Sequence, residues 1–161
     1  MDALQQMYQQ VILEHAKKPH GKVSASVEPG ETTGFGSGAI AVSHQVNPTC
    51  GDEITLTLTT KDGKVEQVAW DGQGCSISQA SASVMTDLVT GESLQEALET
   101  EQVFHELMNS RGKGLDDDAA EDILGDAIAF TGTSQYPARI KCALLGWMAL
   151  KDAIGQVENN D

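Results

Sequence analysis

The chain has 161 residues, with 10 Lys and Arg against 24 Asp and Glu, a formal charge of −14. That length suits a single domain burying roughly 70% of its unfolded surface, although only 4% of the residues are aromatic. The charge argues against sequence-independent nucleic-acid binding, which needs Lys and Arg to displace counterions from phosphate. It disfavours anionic membranes for the same reason, and suits cations or small basic proteins as partners.

No stretch approaches the about 20 apolar residues that span a bilayer. The opening MDALQQMYQQ has no charged start followed by an apolar run, so it is not a signal peptide and a cytoplasmic location is expected. Three widely spaced cysteines in that compartment point to metal binding or catalysis before a disulfide framework.

In chain order, Leu4, Met7, Tyr8, Val11 and Ile12 recur at helical spacing. Lys17 and Lys18 suit the end of that helix, and Pro19 and Gly21 stop it. Residues 22–38, rich in Ser, Gly and Thr, read as a flexible connection within one domain spanning 1–161. Ile40, Val42, His44 and Val46 then share one side of a strand, and Ile54, Leu56 and Leu58 one side of a second, with Thr55, Thr57 and Thr59 opposite. Asp62-Gly63 is a hairpin signal leading to a third strand from Val65 to Trp70.

Beyond Gly74 the period becomes helical, from Ile77 to Leu88 with a stop at Gly91. Ser93 and Glu96 form a capping-box pattern for the next helix. Arg111–Gly114 reads as a loop, and Asp116–Asp118 opens a further helix where carboxylates meet the positive dipole end. Pro137 starts a last helix that is apolar almost all round from Ala143 to Leu150, as a buried helix is; residues 158–161 form a frayed acidic tail. Strands first and helices afterwards predict an α+β fold: a small three-stranded antiparallel sheet covered by several helices, with a long buried C-terminal helix.

The cysteines fall at the ends of these elements. Cys50 lies in Asn47-Pro48-Thr49-Cys50-Gly51-Asp52 between strands one and two, Cys75 follows Gly72-Gln73-Gly74, and Cys142 lies in the first turns of the last helix. Helix N-termini favour the thiolate, so Cys75 and Cys142 are expected in that form, with Ser76 and Ser78 as hydrogen-bond donors. Asp52, across one glycine from Cys50, can turn towards the same point. Three thiolates and a carboxylate suit Zn²⁺ in tetrahedral coordination, and iron–sulfur chemistry also uses such ligands. The net negative charge of such a site calls for a cation, and Arg139, three residues before Cys142, fits that place. With no CxxC pair, chemistry alone leaves open three ordinary buried cysteines and a turn-forming Asp52.

These segments, with Pro137-Ala138-Arg139-Ile140-Lys141-Cys142, resemble in order the three cysteine motifs of the NifU-N/IscU-like superfamily, and within it the SufU branch. Met7-Tyr8-Gln9-Gln10-Val11-Ile12-Leu13-Glu14-His15 and Leu124-Gly125-Asp126-Ala127 are similar too, so the resemblance covers nearly the whole chain. IscU-type scaffolds carry a Leu-Pro-Pro-Val-Lys segment and a His before the third cysteine; here the segment is missing and Lys141 stands before Cys142.

The resemblance implies a zinc-dependent sulfurtransferase that accepts persulfide sulfur from a PLP-dependent cysteine desulfurase of the SufS type. It passes that sulfur towards iron–sulfur cluster assembly, with downstream Fe–S scaffold proteins as further partners. The alternative is an IscU-like scaffold on which the Fe–S cluster itself is built. Carried over, the zinc ligands are Cys50, Asp52, Cys75 and Cys142, Cys50 is the sulfur acceptor on its Gly51-flanked turn, and Arg139 stabilises the thiolate. Lys18-Pro19-His20-Gly21 departs from the family's Asn-Pro-Arg-Asn turn, and the 22–38 connection is longer than usual.

Other polar residues have plainer readings. His15 is read as structural, His20 and His105 as solvated, and His44 as packed beside Val42 and Val46. Gly72 and Gly74 hold only a fragment of a nucleotide-binding pattern and are read as allowing close approach of the backbone to the metal. Asp116–Asp118 is a solvated helix start, not a calcium site; Trp147 and Met148 are assigned to the core, and Tyr136 to packing.

Overall fold

The computed structural model describes residues 3–23 and 39–159. Helix α1 (Ala3–Lys17) ends where the lysines and Pro19 predict. Its apolar face meets the core only through Ile12 and Ala16, while Leu4 and Met7 are exposed. Gly21 turns the chain at φ 80°, and a Cβ there would lie 2.7 Å from Thr86 Cγ2. Lys22 then bridges Trp70 in parallel, with Val23 N–H donating to Trp70 O at 2.8 Å. The first two residues of the expected 22–38 connection are therefore tied to the sheet; residues 24–38 lie outside the described residues.

Strands β1 (Ile40–Asn47), β2 (Asp52–Lys61) and β3 (Lys64–Gln73) form an antiparallel sheet in the order β1-β2-β3. Asp62 and Gly63 both take positive φ, 55° and 75°, as a two-residue hairpin turn requires. Pairing of Ala41 with Leu58 and of Ser43 with Leu56 puts the small residues of β1 on the core side. This corrects the expected polarity of β1: Ala41 and Ser43 are buried, whereas His44 and Val46 are exposed on the other face. The reason is the last helix, which packs across β1 and β2 and needs small side chains beneath it. Ser43 Oγ donates to Asp152 Oδ2 at 2.7 Å, and Gln156 Nε2 to Val42 O at 3.0 Å.

Helix α2 (Ser76–Val89) and helix α3 (Leu94–Met108) follow. Ser93 Oγ accepts from Glu96 N–H and Glu96 Oε1 from Ser93 N–H, completing the predicted capping box. Asp117 caps α4 (Asp118–Leu124). A run of 3₁₀ helix from Gly125 to Gln135, which the sequence pattern does not announce, leads into α5 (Pro137–Asn159). Phe104 stacks on Trp147 at 4.6 Å between ring centroids, with Phe130 edge-on to Phe104. Trp147 Nε1–H donates to Ser81 Oγ at 3.0 Å, which satisfies the one polar atom of a fully buried indole. Met148, expected in the core, is 48% exposed; with Lys141 and Lys151 it lies on the solvent stripe of α5. The helix continues through Glu158 to Asn159, so the expected tail is helical there, and residues 160–161 lie outside the described residues. No helix among the described residues is long and apolar enough to cross a membrane.

Candidate metal centre

The β1–β2 turn, the start of α2 and the second turn of α5 meet at one end of the sheet. Asn47 closes the first of these: its carbonyl accepts from Cys50 N–H (3.3 Å) and Gly51 N–H (2.9 Å), and its Oδ1 from Thr49 N–H (3.3 Å). Gly51 takes φ 73°, which a glycine adopts at little cost, and Cys50 is left exposed at the tip. Asp52 begins β2 and is buried, 2% exposed. Cys75 caps α2 in an extended conformation, and its N–H donates to Asp52 Oδ1 at 3.0 Å. A Cβ on Gly74 would lie 2.8 Å from that same oxygen and 2.4 Å from Ser78 Oγ, so glycine is what lets the strand end come this close to Asp52.

A sulfur of Cys50, a carboxylate oxygen of Asp52 and the sulfur of Cys142 lie within 4.8 Å of one another. Cys75 flanks this set, its Sγ 3.9 Å from Asp52 Oδ2. Residues far apart in the chain thus converge, with Cys75 beside the three-residue group and not within it. Cys142 is buried, with its thiol directed at Ala138 O at 3.5 Å. Burial pushes that thiol up, and Asp52, Cys50 and Cys75 push it further. Loss of solvent and the neighbouring acidic groups thus oppose, in the metal-free chain, the thiolate that the helix start was expected to favour.

Do these residues fit a metal ion? Asp52 is a buried carboxylate that forms no ion pair with Lys, Arg or His among the described residues. An uncompensated buried charge is costly, and the three adjacent sulfurs supply the soft donors that zinc accepts together with one carboxylate oxygen. The donor set fits a thiophilic dication, whose arrival would also compensate deprotonation of Cys142.

The supporting residues are arranged differently from the sequence reading. Arg139 is exposed, and its guanidinium lies over the Tyr136 ring at 4.9 Å; Tyr136 itself is 51% exposed, not packed. Ser78 Oγ donates to Cys75 O at 3.0 Å and lies 3.9 Å from Cys75 Sγ, so its proton serves the helix start before the sulfur. His44 is not packed: it is exposed, with Nδ1 2.8 Å from Thr55 Oγ1. His105 is exposed and stands 3.5 Å from the buried Glu101. Asn47 is the residue the sequence reading passed over. Its place three residues before Cys50 at a strand end, a position where Asn closes turns, is the signal that marks it.

The chain belongs to the NifU-like N-terminal domain family, whose model matches residues 7–143. Within it, the chain is 39% identical over 158 residues to the zinc-dependent sulfurtransferase SufU of Bacillus subtilis, covering 98% of this chain and 96% of that one. It is 36% identical over 159 residues to the iron–sulfur cluster assembly scaffold protein IscU of Streptococcus pyogenes serotype M1, covering 99% and 89%. Its fold is similar to that of a candidate iron–sulfur cluster assembly scaffold for the SUF system from Fervidobacterium islandicum, with a TM-score of 0.71, 34% identity, and coverage of 92% of this chain and 97% of that one.

Proposed function

We propose that this chain is a zinc-dependent sulfur acceptor of iron–sulfur cluster assembly. It takes persulfide sulfur from a PLP-dependent cysteine desulfurase of the SufS type, in the cytoplasm, and passes it towards cluster-building proteins. The observation that carries this reading is the convergence of Cys50 and Cys142, with Cys75 beside them, on the buried Asp52 carboxylate, which has no basic partner among the described residues. The name of the Bacillus subtilis relative supports it. Zinc bound by Cys50, Asp52, Cys75 and Cys142 supplies a redox-inert charge that keeps thiols deprotonated at neutral pH.

Cys50 is the residue that receives sulfur. Its thiolate attacks the outer sulfur of the desulfurase persulfide; the persulfide S–S bond breaks, the desulfurase cysteine departs as thiolate, and a new S–S bond leaves Cys50 as the persulfide. One S–S bond replaces another, so no electron donor or acceptor is required. Exposure of Cys50 on a turn with open space around Gly51 suits it to enter a partner's active site, whereas buried Cys142 is out of reach. Asp52 stays fixed by the Cys75 N–H. Arg139, released from the Tyr136 ring, is the cation that stabilises the attacking thiolate.

The test is mass spectrometry after incubation with desulfurase and cysteine. The parent chain should gain the mass of one sulfur atom on Cys50, and Cys50→Ala should gain none; persulfide on Cys75 or Cys142 at the parental rate overturns the assignment. The similarity to a relative named as a scaffold favours a second reading, in which clusters are built on these same ligands. Anaerobic reconstitution giving a brown protein with stoichiometric iron and sulfide would select that reading; Lys141 in place of His before Cys142 favours the carrier.

A further inference from the structure

A second group of metal-binding side chains lies elsewhere on the molecule. A ring nitrogen of His15, a ring nitrogen of His20 and a carboxylate oxygen of Asp87 lie within 4.8 Å of one another. His15 ends α1, His20 sits in the turn after it, and Asp87 is on the last turn of α2. Asp87 is twelve residues beyond Cys75 along that helix, about 18 Å at 1.5 Å per residue, so the group shares nothing with the cysteine centre.

We propose that His15, His20 and Asp87 form a divalent-metal site of the zinc class that staples α1 and its following turn to α2. Two imidazoles and a carboxylate are borderline donors, suited to zinc and its transition-metal neighbours and not to ions that demand sulfur. The surroundings organise them. Ser83 Oγ accepts from His20 N–H at 2.7 Å and stands 2.7 Å from His15 Nδ1. His15 Nε2 stands 3.8 Å from Asp126 Oδ2. With Nε2 turned to the ion, Nδ1 keeps Ser83 Oγ as its hydrogen-bond partner, as the second nitrogen of a metal-bound histidine does.

His15 is buried and held in place, while His20 and Asp87 are about half exposed and free to adjust. Their present 2.6 Å contact is a hydrogen bond; ion binding displaces a proton from it and opens the pair to the roughly 3.3 Å separating two ligands of a tetrahedral ion with bonds near 2.0 Å. The second carboxylate, on Asp126, balances the remaining charge in a chain of net charge −14. An ion here would fasten a helix whose N-terminal Leu4 and Met7 are more than half exposed.

The site is tested by zinc counting on the full chain after equilibrium dialysis at micromolar free Zn²⁺. His20→Ala and Asp87→Asn are chosen because both positions are exposed, leaving the buried His15 untouched. Each variant should hold one equivalent fewer than the parent chain, and an unchanged count overturns the site. The difference is independent of the cysteine centre: if that centre binds nothing, the parent holds one equivalent and the variants none. Loading with Co²⁺ identifies the missing equivalent. It should carry only the weak visible bands of nitrogen and oxygen ligands; loss of a sulfur charge-transfer band instead would overturn the assignment.

Discussion

Replacing Asp52 by Asn isolates the charge of the centre from its shape. The amide keeps the volume and keeps an oxygen for the Cys75 N–H, now 3.0 Å from Oδ1. In metal-free protein the substitution weakens one charge-assisted hydrogen bond, a loss of about 1 kcal/mol. It also removes a buried charge that has no basic partner among the described residues, which offsets that loss. Urea unfolding in the presence of a chelator should therefore change by no more than about 1 kcal/mol.

Zinc affinity should behave differently. Groups that only orient a metal's ligands are worth about 10- to 100-fold in affinity, so loss of an anionic ligand should cost at least about 100-fold, or ~2.7 kcal/mol. Competition with a chromogenic chelator measures it. Asp52→Ala should add a second effect, because it strands the Cys75 N–H and lowers metal-free stability by roughly 1–3 kcal/mol. Unchanged zinc affinity in Asp52→Asn, together with a metal-free loss above about 2 kcal/mol, would show a purely structural carboxylate and refute Asp52 as a zinc ligand.

Gly74→Ala should lower zinc affinity by about tenfold, since its Cβ would press on Asp52 Oδ1 and Ser78 Oγ; chelator competition again decides, and parental affinity would show that the strand end can yield. The raised Cys142 thiol sets a pH dependence in metal-free protein. Above about pH 8.5 the unfolded thiol ionises while the folded one keeps its proton, so stability is full below that pH and falls as pH rises, by up to ~1.4 kcal/mol per unit. Urea titrations at pH 7.5 and 9.5 measure the slope, and Cys142→Ser should flatten it. Ser93→Ala removes the Ser93 half of the capping box and should cost about 1 kcal/mol without touching zinc binding; a change in metal content would mean that α3 communicates with the centre.

Legibility followed the range of the interactions. The hairpin at Asp62-Gly63, the Ser93 capping box and the helix start at Asp116–Asp118 are local requirements, and each stands where its residues predict, with Asp117 as the cap. The 3₁₀ run from Gly125 to Gln135 was not legible, because its residues lack a strong period and its shape depends on neighbours from α1, α3 and α5. In β1, alternation shows two faces but cannot say which one is covered. The larger residues Val42, His44 and Val46 are the natural choice for the core, yet α5 packs on Ala41 and Ser43. Met148 misled for a related reason: an almost wholly apolar helix still turns one stripe to water.

From its residues alone, the protein was bound to be an acidic α+β chain with thiols at the ends of its elements, because turns, caps and side-chain periodicity act over a few residues. Only the folded chain could decide that Cys50, Asp52 and Cys142 share one small volume, that Cys142 is a buried thiol, and that His15 and His20 meet Asp87. Those outcomes depend on charges and solvent around a point in space, and the groups that set them are brought there by packing between segments tens of residues apart.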